Sequence, residues 1–171
     1  NPGNLPLASS YKLGNWQFIT ENQNPALYQL TNVLTESYQY DRDRLVQVTD
    51  ETSGISTVYL WAYNGTHPVA EIRNATFANV VQSLGGDYMV NQLYNSYTPN
   101  MNVVNNLRNV LINSQVTTMT FKLLVGVTSI TDPRGIKTSY EYDSFGNLKN
   151  IRDLNNRLLQ TIQVHYIGEY L

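Results

Sequence analysis

Hydrophobic and polar positions alternate along several short stretches of the chain, and such alternation predicts β-strands. In SYEYDSFGNLKNI, Tyr140 and Tyr142 fall on one face of a strand. A turn is indicated at residues 143–147, and Leu148 and Ile151 lie on the return strand. The stretch therefore predicts a β-hairpin. A single hairpin is marginally stable in water, so we expect it to stack on neighbours of the same kind.

Four stretches of the chain share one spacing. Each has an aromatic residue at its head and aliphatic residues six and nine positions later, except that the first stretch is one residue shorter. The sets are Tyr40, Leu45 and Val48; Tyr63, Val69 and Ile72; Phe121, Val127 and Ile130; and Tyr142, Leu148 and Ile151. An acid or amide follows two positions after each set, at Asp50, Asn74, Asp132 and Asp153. The spacing predicts a repeat of four hairpin units.

Between the second and third units the hydrophobic period changes from two residues to about 3.6, which predicts helices. Three apolar stripes follow one another, at Phe77, Val80, Val81 and Leu84; at Val90, Leu93, Tyr94 and Tyr97; and at Val103, Leu107 and Leu111. We expect these faces to cover one face of the sheet or its edge. A partner-binding role for the helices is an alternative.

The helix ends are also indicated by residue type. Asn74 is predicted to cap the first helix, which ends at residues 85–86, a pair of glycines. Asp87 is predicted to cap the second helix. Residues 98–99, Thr followed by Pro, are predicted to open the third.

These patterns divide the chain into four segments. They are a lead-in of unclear structure at residues 1–34, hairpin units at 35–73, a helical insertion at 74–113 and further hairpin units at 114–171. Within the lead-in, residues 14–20 favour a strand and residues 24–34 a short helix. The predicted fold is α+β and mainly β, with antiparallel hairpin repeats and two or three inserted helices. We expect one domain cut from a longer protein.

Composition narrows the function classes. The chain has 11 Lys and Arg against 13 Asp and Glu, a net charge of −2, so it lacks the basic field that attracts nucleic acid. The absence of Cys excludes disulfides, thiolate metal sites and cysteine nucleophiles. No stretch approaches the roughly 20 apolar residues of a membrane span. Thirteen Tyr and only 14% charged residues are typical of strand faces on an extracellular surface.

The stretch YEYDSFGNLKNI resembles the YD repeat of RHS proteins. The matching positions are Tyr140, Tyr142, Asp143, Gly146 and Leu148, and Asn147 stands where the family usually has Arg. Over about residues 35–167 the chain resembles RHS-type secreted proteins of Bacteroidetes, in which such units flank a short helical insertion.

The resemblance implies a spiral of antiparallel sheet in a secreted or cell-surface bacterial protein. In some members this sheet forms a shell around a toxin, and in others it serves contact or adhesion. The implied partners are the remaining YD repeats of the parent protein and a toxin payload or surface partner, such as a glycan.

Residues 132–135, DPRG, are the strongest candidate for a reactive site, because some RHS proteins carry an Asp-Pro core sequence linked to self-cleavage. Asp132 at the first position, Pro at the second and Gly135 at the fourth also favour a type I turn. We interpret the motif as a turn. Asp143 is interpreted in the same way, as an acceptor of backbone N–H groups.

Other candidate chemistry is sparse. His67 and His165 have no Ser or Cys nucleophile motif close in sequence, and no metal or cofactor site is predicted. Trp16 and Trp61 are candidate glycan contacts, although sheet packing uses the same residue type.

The leading hypothesis is a non-enzymatic structural segment of a secreted or cell-surface RHS/YD-repeat protein. The alternatives are a carbohydrate- or receptor-binding module and a self-cleaving RHS core.

Overall fold

The computed structural model describes the backbone of residues 10–15 and 33–163 and the side chains of residues 35–163. Within these residues, ten strands form one sheet in which every strand pairs antiparallel with the next. The strands are β1 Ser10–Asn15, β2 Val33–Asp41, β3 Arg44–Asp50, β4 Ser56–Ala62, β5 His67–Arg73, β6 Gln115–Lys122, β7 Gly126–Thr131, β8 Lys137–Tyr142, β9 Leu148–Arg152 and β10 Leu158–Thr161. The predicted fold class, mainly antiparallel β with inserted helices, is confirmed.

Strands β2 to β9 form four hairpins, numbered 1 to 4 in chain order. Their tips lie at one end of the sheet, called the tip end, at residues 42–43, 63–66, 123–125 and 143–147. The connections between hairpins lie at the loop end, at residues 51–55, 74–114 and 132–136. The connection from β9 to β10, residues 153–157, is also at the loop end.

The hydrophobic core lies on one face of the middle strands, called the helix face. Val58 pairs with Ile72, and Ile72 with Val116, so all three side chains point to this face. Each is fully buried, as is Leu60 on the same side of β4. The other face, called the aromatic face, carries a row of half-buried or exposed aromatic side chains: Tyr38, Tyr40, Tyr59, Trp61, Phe121, Tyr140 and Tyr142.

Among residues 33–163, three helices cover the helix face. They are α1 Phe77–Leu84, α2 Asp87–Asn95 and α3 Met101–Val110. Helix α2 packs on β4, α3 packs on β6, and α1 contacts both other helices. Their buried residues are Val80, Leu84, Val90, Leu93, Val104 and Leu107. All but Val104 belong to the predicted stripes; in α3 Val104 is buried where Val103 was predicted, and Tyr97 is exposed. No helix in residues 33–163 has the length and hydrophobicity needed to cross a bilayer.

The helices begin at different residues from those predicted. Thr76 caps α1, because its hydroxyl accepts the Asn79 N–H at 3.3 Å. Gly86 precedes α2, whose first residue is Asp87. Asn100, rather than Thr98, caps α3. Asn, Thr and Asp are all good caps, so residue type alone could not choose between neighbouring candidates.

The two ends of the helical insertion are tied together at the loop end. The Asn74 side-chain amide donates to the Asn113 carbonyl at 2.9 Å. The Ser114 hydroxyl donates to the Asn74 carbonyl at 2.8 Å. Asn74 adopts a left-handed φ of 65°, a conformation that Asn tolerates. These bonds hold the end of β5 beside the start of β6.

The lead-in is described only in part. Residues 14–15 of the predicted strand lie in β1, and the end of the predicted helix at residues 24–34 overlaps the start of β2. The rest of both elements, including Trp16, lies outside the described residues.

Candidate functional site at the hairpin interfaces

A β-bulge in every hairpin positions one aromatic residue. The register slips by one residue immediately before Tyr40, Trp61, Phe121 and Tyr142. These four residues, called the head aromatics, pair with Leu45, Pro68, Val127 and Leu148. A bulge bends its strand and redirects the neighbouring side chains, so the same distortion gives each head aromatic a similar position.

In hairpin 2 the strand register differs from the residue spacing, which predicted Tyr63 as the head aromatic. Trp61 follows the bulge, whereas Tyr63 lies in the tip with a φ of 54°. Trp61 and its partner Pro68 are seven positions apart, against five or six in the other hairpins, and this extra residue shifts the apparent spacing. Strand register, rather than residue spacing, therefore identifies the equivalent positions.

Hairpins 1 and 2 are linked by a bond from a head aromatic to the preceding hairpin. The indole Nε1–H of Trp61 donates to the Leu45 carbonyl at 2.8 Å. Leu45 is the residue that pairs with Tyr40, the head aromatic of hairpin 1. The Arg44 guanidinium lies 5.8 Å from the centre of the Trp61 ring, within the range of a cation–π contact.

Hairpins 3 and 4 have the equivalent link. The Tyr142 hydroxyl donates to the Val127 carbonyl at 2.8 Å, and Val127 pairs with Phe121. Gly126 makes room for this hydroxyl, since a Cβ there would lie 2.6 Å from it. In both pairs, the side chain of a head aromatic therefore donates to an equivalent carbonyl of the preceding hairpin, that of the residue paired with its head aromatic.

The junction between hairpins 2 and 3 is different, because Phe121 has no polar side-chain atom. Its backbone N–H instead donates to the hydroxyl of buried Tyr63 at 3.1 Å. The two rings meet edge to face with centroids 6.0 Å apart. The His67 ring lies 4.6 Å from the Phe121 ring. A cluster of three rings joins the hairpins on either side of the insertion.

Helix α2 covers the tip of hairpin 2. The backbone N–H groups of Tyr63 and Gly65 donate to the carbonyls of Ser96 and Tyr94 at 2.8 and 3.1 Å. Gly65 has a φ of 68°, and a Cβ on it would overlap the Tyr94 ring. Tyr94 also lies under the Arg42 guanidinium of hairpin 1.

The remaining aromatic residues of the predicted repeat occupy less buried positions. Tyr40 is 36% exposed. Tyr140 is half-buried on the aromatic face, where it pairs with Ile151. The structure thus joins Tyr63 to Phe121, and Tyr142 to the strand that follows Phe121.

Three loops on β7, β8 and β9 share one geometry built on an aspartate. The Oδ1 atoms of Asp132, Asp143 and Asp153 each accept two backbone N–H groups, from the residues two and four positions later, at 2.8 to 2.9 Å. The fourth residue of each loop has a left-handed φ: Gly135 at 84°, Gly146 at 85° and Asn156 at 63°.

Electrostatics of these loops favour the ionised carboxylate. The hydrogen bond from the Ile136 N–H, with the Arg134 side chain, lowers the pKa of Asp132 below its usual value. The Arg157 N–H and guanidinium lower the pKa of Asp153 in the same way. A general acid requires the opposite shift, so these carboxylates are suited to accept hydrogen bonds rather than to donate protons.

Arg108 connects the helical insertion to hairpin 3, and the sequence analysis did not single it out. Its guanidinium donates to the carbonyls of Thr131 and Asp132 at 2.9 and 3.1 Å and to the Thr118 hydroxyl at 3.1 Å. Burial lowers the pKa of Arg108, an effect that Asp132 opposes. A basic residue in the last turn of a helix is common, so its reach to the sheet left no pattern in the sequence.

The part of the chain that the structure describes contains no cluster of three or more His, Asp or Glu side chains able to hold a metal ion. His67 Nδ1 lies 2.8 Å from the Thr66 hydroxyl. His165 falls outside the described residues.

Comparison with protein families finds one match. Residues 125–161 match the RHS Repeat family model. The matched stretch begins at the tip of hairpin 3 and runs through β10, so it contains Tyr142, Asp143 and all three aspartate loops. A search of curated proteins finds no match. Hairpins 1 and 2 lie outside the RHS match, although hairpin 2 contacts hairpin 1 in the way that hairpin 4 contacts hairpin 3.

Proposed function

We propose that the chain is a non-enzymatic structural segment of a secreted or cell-surface RHS/YD-repeat protein, in which it builds part of a β-sheet wall or contact surface. The observation that carries the proposal is the repeated link between hairpins, Trp61 to Leu45 and Tyr142 to Val127. The RHS match at residues 125–161 supports the same assignment. Units that contact only their neighbours build extended sheets of this kind.

Strand β10, at one edge of the sheet, is exposed, and this supports further YD repeats as a partner. All four residues of β10 are exposed, including Leu158 at 53% and Leu159 at 61%. An exposed apolar edge strand favours association with another strand. In the proposed function, further YD repeats of the parent protein cover this edge. A bacterial source among the Bacteroidetes and a toxin payload or adhesion partner belong to the same proposal.

The stacked-hairpin basis can be tested with Tyr142→Ser. Loss of the ring and of its hydrogen bond should lower the free energy of unfolding by about 3 kcal/mol. Chemical denaturation measures this change. Tyr88→Ser is the matched control, because Tyr88 is 70% exposed on α2 and should change stability little. Equal stability of the two variants would contradict stacking through Tyr142.

The proposed location has its own test. In cells that produce the parent protein, an antibody against this chain should label intact cells or the medium, with a cytosolic protein as the negative control. Labelling only after lysis would contradict a secreted or surface location.

A carbohydrate- or receptor-binding module is the first alternative. The Trp61 indole already donates to Leu45 and faces Arg44, so no observation favours its use for glycans. A glycan array compares the chain with Trp61→Ala. Binding that Trp61→Ala abolishes, with the fold intact, would support this alternative.

Self-cleavage at Asp132 is the second alternative. The Asp132 carboxylate accepts bonds from the backbone of residues 134 and 136 and from the Arg134 side chain. We expect the intact mass to stay constant during long incubation. A fragment that begins or ends at Asp132, and that is absent from Asp132→Asn, would establish cleavage.

A further inference from the structure

The tips of hairpins 3 and 4 project apolar side chains from the tip end. Leu124 is fully exposed, at 105% of its reference area, and Phe145 is 77% exposed. Leu123, beside Leu124, is 38% exposed. The corresponding tip residues of hairpins 1 and 2 are polar or glycine, at residues 42–43 and 64–65.

Leu124 also has an unfavourable backbone conformation. Its φ is 63°, in the left-handed region that glycine and asparagine occupy most readily. The other tips place Arg42, Asp43, Tyr63, Asn64, Gly65 and Gly146 at positive φ, and none of these is an exposed apolar side chain. A leucine here gains nothing from burial and strains the turn. Such an outlier points to a role for the side chain outside the fold.

The two apolar tips are held side by side. Tyr142, at the base of the hairpin 4 tip, bonds to Val127 at the base of the hairpin 3 tip at 2.8 Å. Gly126 allows this approach. The α2 contacts at the tip end go to hairpins 1 and 2, through Tyr94 and residues 63–65. The two apolar tips are therefore neighbours, and they project from the tip end beyond the part of the sheet that the helices cover.

Positive charge flanks this projection. Lys122 precedes the hairpin 3 tip and Lys149 follows the hairpin 4 tip, and both are exposed. The acid between them in sequence at this end, Asp143, is bound by the backbone of its own loop. Glu141, further along β8, is paired with Arg152.

We propose that Leu123, Leu124 and Phe145 insert into the interface of a lipid bilayer with anionic headgroups, while Lys122 and Lys149 lie near the phosphates. Apolar side chains that project from the surface can enter a lipid bilayer, because lipids deform around them. A protein partner would need a pocket of matching shape. Apolar insertion flanked by basic residues is a known physical route to reversible membrane binding. Three side chains should give weak binding, at or below the ~10⁴ M⁻¹ of one myristoyl chain. The proposal does not depend on the wall function.

The test is co-sedimentation of the full chain with vesicles of phosphatidylcholine alone or mixed with equal phosphatidylglycerol. The chain should bind the mixed vesicles. Leu124→Asn combined with Phe145→Ser should reduce the partition coefficient at least about tenfold. Because Asn accepts a positive φ, the thermal midpoint should not fall, and a folding defect cannot mimic the result. Lys122→Gln with Lys149→Gln should weaken binding to the mixed vesicles and remove its salt dependence.

Leu154→Ser is the matched control, since Leu154 is a 56% exposed leucine at the loop end. Its binding should equal that of the unmodified chain. Equal losses in Leu154→Ser and the tip variant would overturn the proposal in favour of general surface stickiness. No binding of the unmodified chain to either vesicle would also overturn it and leave a protein partner as the occupant of the tips.

Discussion

Hairpins 1 and 2, before the helical insertion, and hairpins 3 and 4, after it, are joined by the same contact made with different residues. Trp61 donates to Leu45 in the first pair, and Tyr142 donates to Val127 in the second. The residue before the acceptor is Arg44, which faces the indole ring, or Gly126, which admits the phenol hydroxyl. The repeat is thus defined by a bulge, a ring and a carbonyl acceptor rather than by residue identity.

The two pairs differ in what stabilises their ends. In the first pair, α2 bonds to the tip of hairpin 2 and places Tyr94 against Gly65. The second pair relies on aspartate loops that are satisfied by their own backbone. Local loops leave a recognisable sequence motif, whereas contact with a distant helix does not. The RHS match covers the region with three such loops, whereas hairpins 1 and 2 have one at Asp50, whose Oδ1 accepts the backbone N–H groups of residues 52 and 53.

Gly65→Ala should give the largest effect and should act on the first pair alone. A Cβ would overlap the Tyr94 ring and strain a residue at φ of 68°, which together should cost about 2–4 kcal/mol. Gly54→Ala is the control, because Gly54 has a similar φ of 70° but open space around it. Chemical denaturation should show a loss of only about 1 kcal/mol for the control. Equal losses would mean that the contact with α2 contributes nothing.

Tyr142→Phe should give an intermediate effect in the second pair. It removes the hydroxyl donor and keeps the ring, so the free energy of unfolding should fall by about 1 kcal/mol. Trp61→Phe removes the equivalent donor and some packing area, and its loss should be somewhat larger. Thermal or chemical denaturation measures both. An unchanged Tyr142→Phe would show that the two hairpin links are not energetically equivalent.

Acid should destabilise hairpins 3 and 4 more than hairpins 1 and 2, and we expect this effect to be smaller than those of the substitutions above. The pKa values of Asp132, Asp153 and Glu141 lie below their usual values, whereas in hairpins 1 and 2 only Asp50 has a lowered pKa. A lowered folded-state pKa stabilises the fold above the unfolded pKa of about 4. This stability is lost as the pH falls through the folded pKa.

Amide NMR spectra recorded between about pH 5 and pH 2 check this expectation. The amides of Ile136 and Arg157 should lose their native shifts before those of hairpin 2. In Asp132→Asn the acid transition of the residue 132–136 loop should be weaker. If the amides of both hairpin pairs lost their native shifts at the same pH, the acid sensitivity would not originate in the aspartate loops.

Much of the fold is predictable because its local signals agree with one another. Period-two alternation predicts the hairpins, and the change to a helical period predicts the insertion and the buried residues Val80 and Leu107. The head of hairpin 2 was not predictable, because Trp61 and Tyr63 are both aromatic and only the strand register separates them. Arg108 was missed because two of its acceptors are the backbone carbonyls of Thr131 and Asp132, more than 20 residues away, which no side-chain pattern reveals. The exposed Leu124 was also missed, since spacing does not report exposure.

The bonds between Asn74 and residues 113–114 have a consequence for how the molecule can vary. They hold the end of β5 against the start of β6, so the pairing of these two strands does not depend on the length of chain between them. Any segment whose apolar face packs on Leu60 and Ile72 could replace the present helices, and the strand order of the sheet would stay the same. The end of β5 and the start of β6 are therefore the two points at which a protein engineer can replace the insertion with a new segment.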